Sequence, residues 1–227
     1  SGLVYQTQDY LKSSKIPNHY IITNGCDVSP KEEKTFDLRN KYNIPNEAQI
    51  LLFVGNISKN KNQIQLARAY NKLPEKIKES VYILFIGQFS VDCEIDKYIQ
   101  YFNLQDHLIL CGAVAKDKIH NFYKQSGYTV LLSVSEGFGL SIIEGFVYGL
   151  PNLTFSDLAA MPDLYNPNAM IALTQRTDDE VKNGIIEMLD KKWDREFIKS
   201  YSSEFSLAKM AKNYISVYKN VIANYEN

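Results

Sequence analysis

The strongest constraint on the fold is a series of short apolar runs that never alternate with polar residues. Ile50-Leu51-Leu52-Phe53-Val54-Gly55 and Val81-Tyr82-Ile83-Leu84-Phe85-Ile86-Gly87 each close on a glycine. Leu108 to Gly112, Tyr128 to Ser133, Asn152 to Phe155 and Met170 to Leu173 continue the series. A strand with one wet face alternates, so unbroken β-branched runs predict strands covered on both faces, as in parallel sheets. The segments between supply the covering helices. Ile64, Ala67, Tyr70 and Leu73 form one helical stripe; Ile95, Tyr98, Ile99 and Phe102 form a second, and Ile119, Phe122 and Tyr123 a third. Thr177 and Glu180 have capping-box spacing before Val181, Ile185, Ile186 and Met188. Ser206 is placed to cap a last helix carrying Met210, Tyr214, Val217, Tyr218 and Val221. This alternation predicts an α/β fold, a doubly wound, Rossmann-like parallel sheet with helices on both faces.

Composition excludes several functions. With 227 residues, 45% hydrophobic and 22% charged, the chain is globular and long enough for one generous domain or two small ones. Its 25 Lys+Arg against 26 Asp+Glu leave no basic surplus, so nucleic acid is not an expected partner. Cys26, Cys93 and Cys111 form no C-x-x-C pair, and three histidines are few for zinc, which predicts a reduced chain with no metal site. No apolar stretch approaches the ~18 residues of a membrane span and no signal-type run opens the chain, so a cytoplasmic location is expected. Sequons at Asn56 and Asn152 are therefore expected to stay unmodified. Residues 29–49, beginning Ser29-Pro30-Lys31-Glu32-Glu33-Lys34, read as a connecting loop and short helix. No internal repeat divides the chain.

In open α/β sheets ligands sit at the carboxyl ends of the strands, where loops turn into helix N-termini. Three segments occupy such places. Gly55-Asn56-Ile57-Ser58-Lys59-Asn60-Lys61-Asn62 is no Walker A loop, yet Lys59 and Lys61 could hold an anion; on their own they read as solvated lysines. Ser135-Glu136-Gly137-Phe138-Gly139-Leu140-Ser141-Ile142-Ile143-Glu144 puts two glycines before a helix starting near Leu140. Its free amides would face the sheet edge, and Glu144, one turn in, can reach the same cavity. Gly145 and Gly149 are expected to let this helix pack closely on the sheet. An ionised carboxylate only accepts hydrogen bonds, so Glu136 and Glu144 suit the hydroxyls of ribose or hexose rather than phosphate. In the third segment, Phe155-Ser156-Asp157 through Asp163-Leu164, Asp157 taken alone reads as a helix cap.

Together these residues resemble the retaining GT-B glycosyltransferases of family four, which include sucrose synthase-like and lipopolysaccharide-type enzymes. Glu136 to Glu144 is similar to the E-x7-E motif of their nucleotide-sugar-binding C-terminal domain. Gly149-Leu150-Pro151 and Ser156-Asp157 resemble its Gly-x-Pro and Ser-Asp, and Thr23-Asn24-Gly25-Cys26-Asp27 its Pro-Asn-Gly-x-Asp. Gly55 through Lys61 resembles its Gly-Arg…Lys loop. The resemblance covers essentially the whole chain. It implies that Glu144 binds the nucleotide ribose, Glu136 the hydroxyls of the transferred sugar, and Lys61 the diphosphate. Gly55, Asn56 and the backbone of Gly137, Phe138, Gly139 and Leu140 would assist, with Val114 in Gly112-Ala113-Val114 meeting the base. It also implies retaining transfer without metal or other cofactor, and no D-x-D triplet occurs; Asp92-Cys93-Glu94 comes nearest and reads as a helix start.

The chain departs from the family in Asn56, where an arginine is usual, in Ala159-Ala160 for Gly-Gly, and in Asp163 for glutamate. Half of the cationic clamp is thus replaced, with Lys59 the nearest substitute. The expected division is residues 1–23 as a segment joining an N-terminal acceptor domain, 24–205 as the donor-binding domain and 206–227 as a C-terminal helix. Partners are then a nucleotide sugar and a glycan or lipid-linked acceptor. A noncatalytic sugar-nucleotide-binding subunit is the alternative, and a GT-B-fold epimerase a weaker third. Lys212, Tyr214, Tyr218 and Lys219 are expected to pack their aromatic side and solvate their lysines; peripheral contact with a membrane's inner face is the other reading.

Overall fold

The computed structural model describes residues 3–6, 8, 19–30, 36–90 and 93–223. Two short strands, β1 (Leu3–Tyr5) and β2 (His19–Ile21), pair in parallel at its start. Helix α1 (Leu38–Tyr42) realises the short helix expected within 29–49, and the Asp37 carboxylate caps it by accepting from the Arg39 and Asn40 amides. Residues 31–35 of that stretch lie outside the described residues. The main body then runs β3 (Gln49–Val54), α2 (Gln63–Asn71), α3 (Glu75–Lys78), β4 (Val81–Ile86), α4 (Ile95–Tyr101) and β5 (Leu108–Gly112). It continues through α5 (Ile119–Gln125), β6 (Tyr128–Leu131), α6 (Leu140–Val147), β7 (Asn152–Phe155), α7 (Met161–Leu164) and β8 (Met170–Leu173). Helices α8 (Asp178–Asp190), α9 (Arg195–Ser202) and α10 (Leu207–Ala223) complete it.

All six expected strands form one sheet in the order β5-β4-β3-β6-β7-β8, every pairing parallel. The order reverses between β3 and β6, the switch point that opens a crevice at the strands' carboxyl ends. Unalternated strands are explained by two cores. Leu51 and Phe53 join one with residues of α2, α4, α6 and α8, while Ile50 and Leu52 join another with Leu38, Phe122 and Tyr123. Strand β4 divides the same way, Val81, Ile83 and Phe85 to one side and Tyr82, Leu84 and Ile86 to the other.

The helices follow the expected stripes with local exceptions. Ala67 and Tyr70 are buried on α2, but Ile64 is only half-buried because Gln63 and Gln65 turn inward beside it. Ile95 and Ile99 are buried on α4, whereas Phe102, past its end, is 41% exposed. Thr177 caps α8 by accepting from the Glu180 amide at 3.2 Å, while the Glu180 carboxylate accepts from Thr174 rather than returning to Thr177. Only half of the capping box is therefore closed. Ser206 caps α10, its hydroxyl accepting from the Lys209 amide at 3.2 Å.

Gly145 packs α6 onto the sheet as expected, since a β-carbon there would stand 2.7 Å from the Thr129 methyl on β6. Gly149 does something else. It lies beyond the end of α6, and its nearest neighbour is the Arg195 carbonyl of α9. Asn152 is fully buried and donates to Thr129 Oγ1 at 3.0 Å, so no glycan fits on it. The expectation for the last helix is corrected in part: α10 has no buried residue, and Tyr218 and Ile222 are each 58% exposed. An apolar groove of about 300 Å³ runs between its Val217 and Val221 and the Val4 and Tyr20 side of the β1–β2 pair. Among the described residues no helix is long and apolar enough to cross a membrane.

Entry to the body and exit from it lie side by side. The Cys26 amide donates to the Phe205 carbonyl at 2.9 Å, and the Leu207 amide to the Cys26 carbonyl at 3.2 Å. A β-carbon on Gly25 would stand 2.8 Å from the Ser206 carbonyl oxygen, so the two segments meet backbone to backbone.

Candidate nucleotide-sugar site

The crevice is built from the loops that follow β3 and β6. Buried Gln63 shapes the first: its amide nitrogen donates to the Asn56 carbonyl at 3.0 Å and its oxygen accepts from the Ser58 amide at 3.3 Å. The Ser58 hydroxyl in turn accepts from the Lys61 amide at 3.3 Å. This folding lays the Lys61 stem against Gly55, about where a β-carbon there would touch it at 3.5 Å.

Asn60 joins this loop to the second. Its backbone carbonyl accepts from the Val134 amide at 2.7 Å, while its side chain donates to the Ser135 carbonyl at 3.0 Å and accepts from the Ser135 amide at 3.1 Å. From the other side Arg176 grips the same loop, donating to the Ser133 carbonyl at 3.0 Å and the Val134 carbonyl at 3.4 Å. The rest of its guanidinium makes a two-pronged pair with Asp157, at 2.8 and 2.7 Å, above the Phe155 ring. Asp157 is thus no helix cap; the planar fork of Arg176 satisfies it instead.

Held on both sides, the second loop brings Glu136 to Lys61. Lys61 Nζ donates to Glu136 Oε2, which also accepts from the Ser133 hydroxyl at 3.2 Å. The two side chains are only 23% and 18% exposed, so the pair is sheltered yet reachable. A cavity of about 310 Å³ opens beside it, lined by Gln6, Asn24, Val54, Lys61, Glu136 and residues 137–141. Gly139 takes φ +80 as the N-cap of α6, a conformation that suits glycine, and no side chain caps the helix. The first amides of α6 are therefore available to an anion in this cavity.

A second cavity of about 270 Å³ lies farther along α6, lined among others by Asp27, Lys116, His120, Tyr123, Glu144 and Tyr148. Glu144 Oε2 accepts from the Tyr123 hydroxyl at 2.7 Å. Burial, with Glu144 alongside, holds the Tyr123 hydroxyl well above the ordinary tyrosine range, so it stays a donor.

Of the residues singled out by sequence, Lys61, Glu136, Gly137, Phe138, Gly139 and Leu140 converge on the first cavity, with Gly55 under Lys61, and Glu144 faces the second. Asn56 and Lys59 are exposed and line neither cavity. Val114 is half-buried against the Leu52–Leu84 core and also lines neither. Asp163 accepts from the Gln8 amide at 3.0 Å and lines neither cavity. Asn60, Gln63, Tyr123 and Arg176 were not indicated as site residues by the sequence. Tyr123 was legible only as part of an apolar stripe, Asn60 and Arg176 act through partners 75 and 43 residues away, and Gln63 acts on the backbone of its own loop. For Arg176→Ala we expect a stability loss of about 1–3 kcal/mol in urea unfolding, because the buried Ser133 carbonyl loses its side-chain donor. A loss under about 0.5 kcal/mol would discount the clamp.

Known proteins share this architecture. Sucrose-phosphate synthase from Thermosynechococcus elongatus matches with a TM-score of 0.81 at 20% identity, over 97% of this chain and 58% of its own. Anabaena HepE, solved in complex with UDP and glucose, matches with a TM-score of 0.82 at 16% identity, over 97% and 63% of the two chains. An uncharacterized glycosyltransferase of Methanocaldococcus jannaschii is 22% identical over 209 residues, 88% of this chain and 53% of that protein. The chain spans about half the length of this curated relative. The profile of the family described as Glycosyl transferases group 1 matches residues 34–205, a span holding the whole main sheet and both crevice loops. The chain therefore belongs to the glycosyl transferases group 1 family, as its GT-B C-terminal domain.

Proposed function

We propose that this chain is the donor-binding half of a retaining, metal-independent hexosyltransferase acting on a glycan or lipid-linked acceptor. Residues 24–205 form the donor domain, residues 1–23 join it to an acceptor domain, and the segment 206–227 carries the C-terminal helix. The observation that carries this reading is the spacing of two carboxylates along one helix start. Glu136 with Lys61 stands in one cavity and Glu144 in the next, with the uncapped N-terminus of α6 between them. A nucleotide diphosphate sugar presents hydroxyls, then phosphates, then hydroxyls in that order. Sugar hydroxyls donate to Glu136, the diphosphate meets Lys61 and the α6 amides, and the ribose donates to Glu144. As the diphosphate departs it gains negative charge, which a fixed cation and a helix N-terminus stabilise more than the ground state.

One observation favours a noncatalytic binding subunit as the second reading: Asn56 stands exposed, outside both cavities, and contributes no charge to the diphosphate. Thermal denaturation with UDP-, GDP- and ADP-sugars tests the shared premise. A donor at ~100 Kd is expected to add about 2.7 kcal/mol, and Glu144→Ala is expected to erase that gain. No gain with any donor removes the premise. Transfer by a chain that includes the acceptor domain, lost in Glu136→Ala, separates enzyme from subunit.

A further inference from the structure

We propose that Tyr123 is a positioning residue that sets Glu144 to accept both hydroxyls of a ribose, so that the site selects ribonucleotides over 2′-deoxyribonucleotides. This rests on the reading of the Glu144 cavity as the nucleoside site. Glu144 sits on α6 and Tyr123 on α5, and the hydroxyl of Tyr123 donates to Glu144 Oε2 at 2.7 Å from beneath the cavity. The tyrosine is 1% exposed, and its ring is stacked on Tyr148 with centroids 5.8 Å apart and planes 4° from parallel. It has no freedom to swing away.

The consequence follows from counting acceptor sites. A carboxylate offers about four lone-pair positions on two oxygens. Tyr123 occupies one on Oε2, which fixes the rotation of the carboxylate. Oε1 and the remaining face of Oε2 are left for two donors. A ribose supplies them as neighbouring 2′ and 3′ hydroxyls, whereas 2′-deoxyribose supplies one and leaves a sheltered acceptor unpaired. Without the Tyr123 hydroxyl, Glu144 keeps its charge but loses its set orientation. It can then turn to meet a single hydroxyl, and the two sugars become nearly equivalent.

Calorimetric titration of this chain with UDP, GDP and ADP and with their 2′-deoxy counterparts tests this. The ribonucleotide that binds is expected to bind about tenfold tighter than its deoxy form. Tyr123→Phe is expected to narrow that ratio to about two- or threefold. A tyrosine that only filled space would alter stability and leave the ratio alone. In a Glu144→Ala background the ratio should be near one, and Tyr123→Phe should change nothing more. A full ratio retained by Tyr123→Phe, with Glu144→Ala abolishing it, overturns the inference and leaves the donor reading standing. No discrimination in the unaltered chain overturns the inference, and no binding by any of the six nucleotides overturns both. If Tyr123→Phe does not fold, Glu144→Asp withdraws the carboxylate from the Tyr123 hydroxyl with its charge intact. Discrimination retained in that variant overturns the proposal, and its loss supports it.

Discussion

Replacing Gly87 with alanine is expected to cost about 3–5 kcal/mol, a large share of what holds a domain of this kind together. Gly87 follows β4 with φ +155, and a β-carbon there would stand 2.1 Å from the Gly55 carbonyl oxygen and 2.6 Å from its carbon. Asn56 Cα is the next neighbour at 3.0 Å. All three atoms are backbone, so no side-chain rotation relieves the overlap. The strands must part instead, at the place where the Gly55 amide donates to the Ile86 carbonyl at 2.9 Å and the Gly87 amide to the Gly112 carbonyl at 3.0 Å. Urea unfolding measures the loss, with Gly137→Ala as the matched control. Gly137 has nothing within 4 Å of its virtual β-carbon, and its change should stay within about 0.5 kcal/mol. A Gly87→Ala loss below about 1 kcal/mol would mean that the two strand ends separate freely.

Lys61→Met is expected to weaken binding of a nucleotide diphosphate by about 30- to 100-fold, roughly 2–3 kcal/mol, the scale of a charge-assisted contact in a partly desolvated site. Methionine keeps most of the stem that lies against Gly55 and deletes the ammonium. Because the assigned role of Lys61 is the diphosphate, UDP and a UDP-sugar should lose affinity alike. Glu136→Gln should behave otherwise, sparing UDP and weakening only the sugar-bearing donor. Raising the salt concentration should weaken binding to the unaltered chain more steeply than binding to Lys61→Met. Calorimetry at two salt concentrations reads both effects. If Lys61→Met bound UDP as tightly as the unaltered chain, the cation would have no part in holding the diphosphate.

The sheet was legible in the sequence because burial on both faces leaves a local mark. Runs such as Ile50 to Val54 and Val81 to Ile86 can only be strands within two cores. The crevice was half legible for a related reason. Gly139 and the glutamates that flank its loop occur in one continuous stretch, and backbone geometry alone dictates where they go. What joins the loops leaves no local mark. Asn60 finds Ser135 75 residues on, and Arg176 finds Ser133 43 residues back. In sequence each is an ordinary polar residue. Asp157 was misread for the same reason: a carboxylate before a short helix looks like a cap until Arg176 arrives from beyond β8. Gly149 followed suit, since its close neighbour belongs to α9 rather than to the sheet.

The pairing of Cys26 with Ser206 has a use in protein engineering. Everything between those residues, including the main sheet, both crevice loops and Glu144, leaves and rejoins the chain at one point. Such a body is a ready cassette: its ends are close enough to be spliced into an exposed loop of a host protein without stretching either partner. Joined instead to each other by a short linker, the same ends would permit new termini in a surface turn. The crevice would then be preserved in a chain whose order of strands had been rotated.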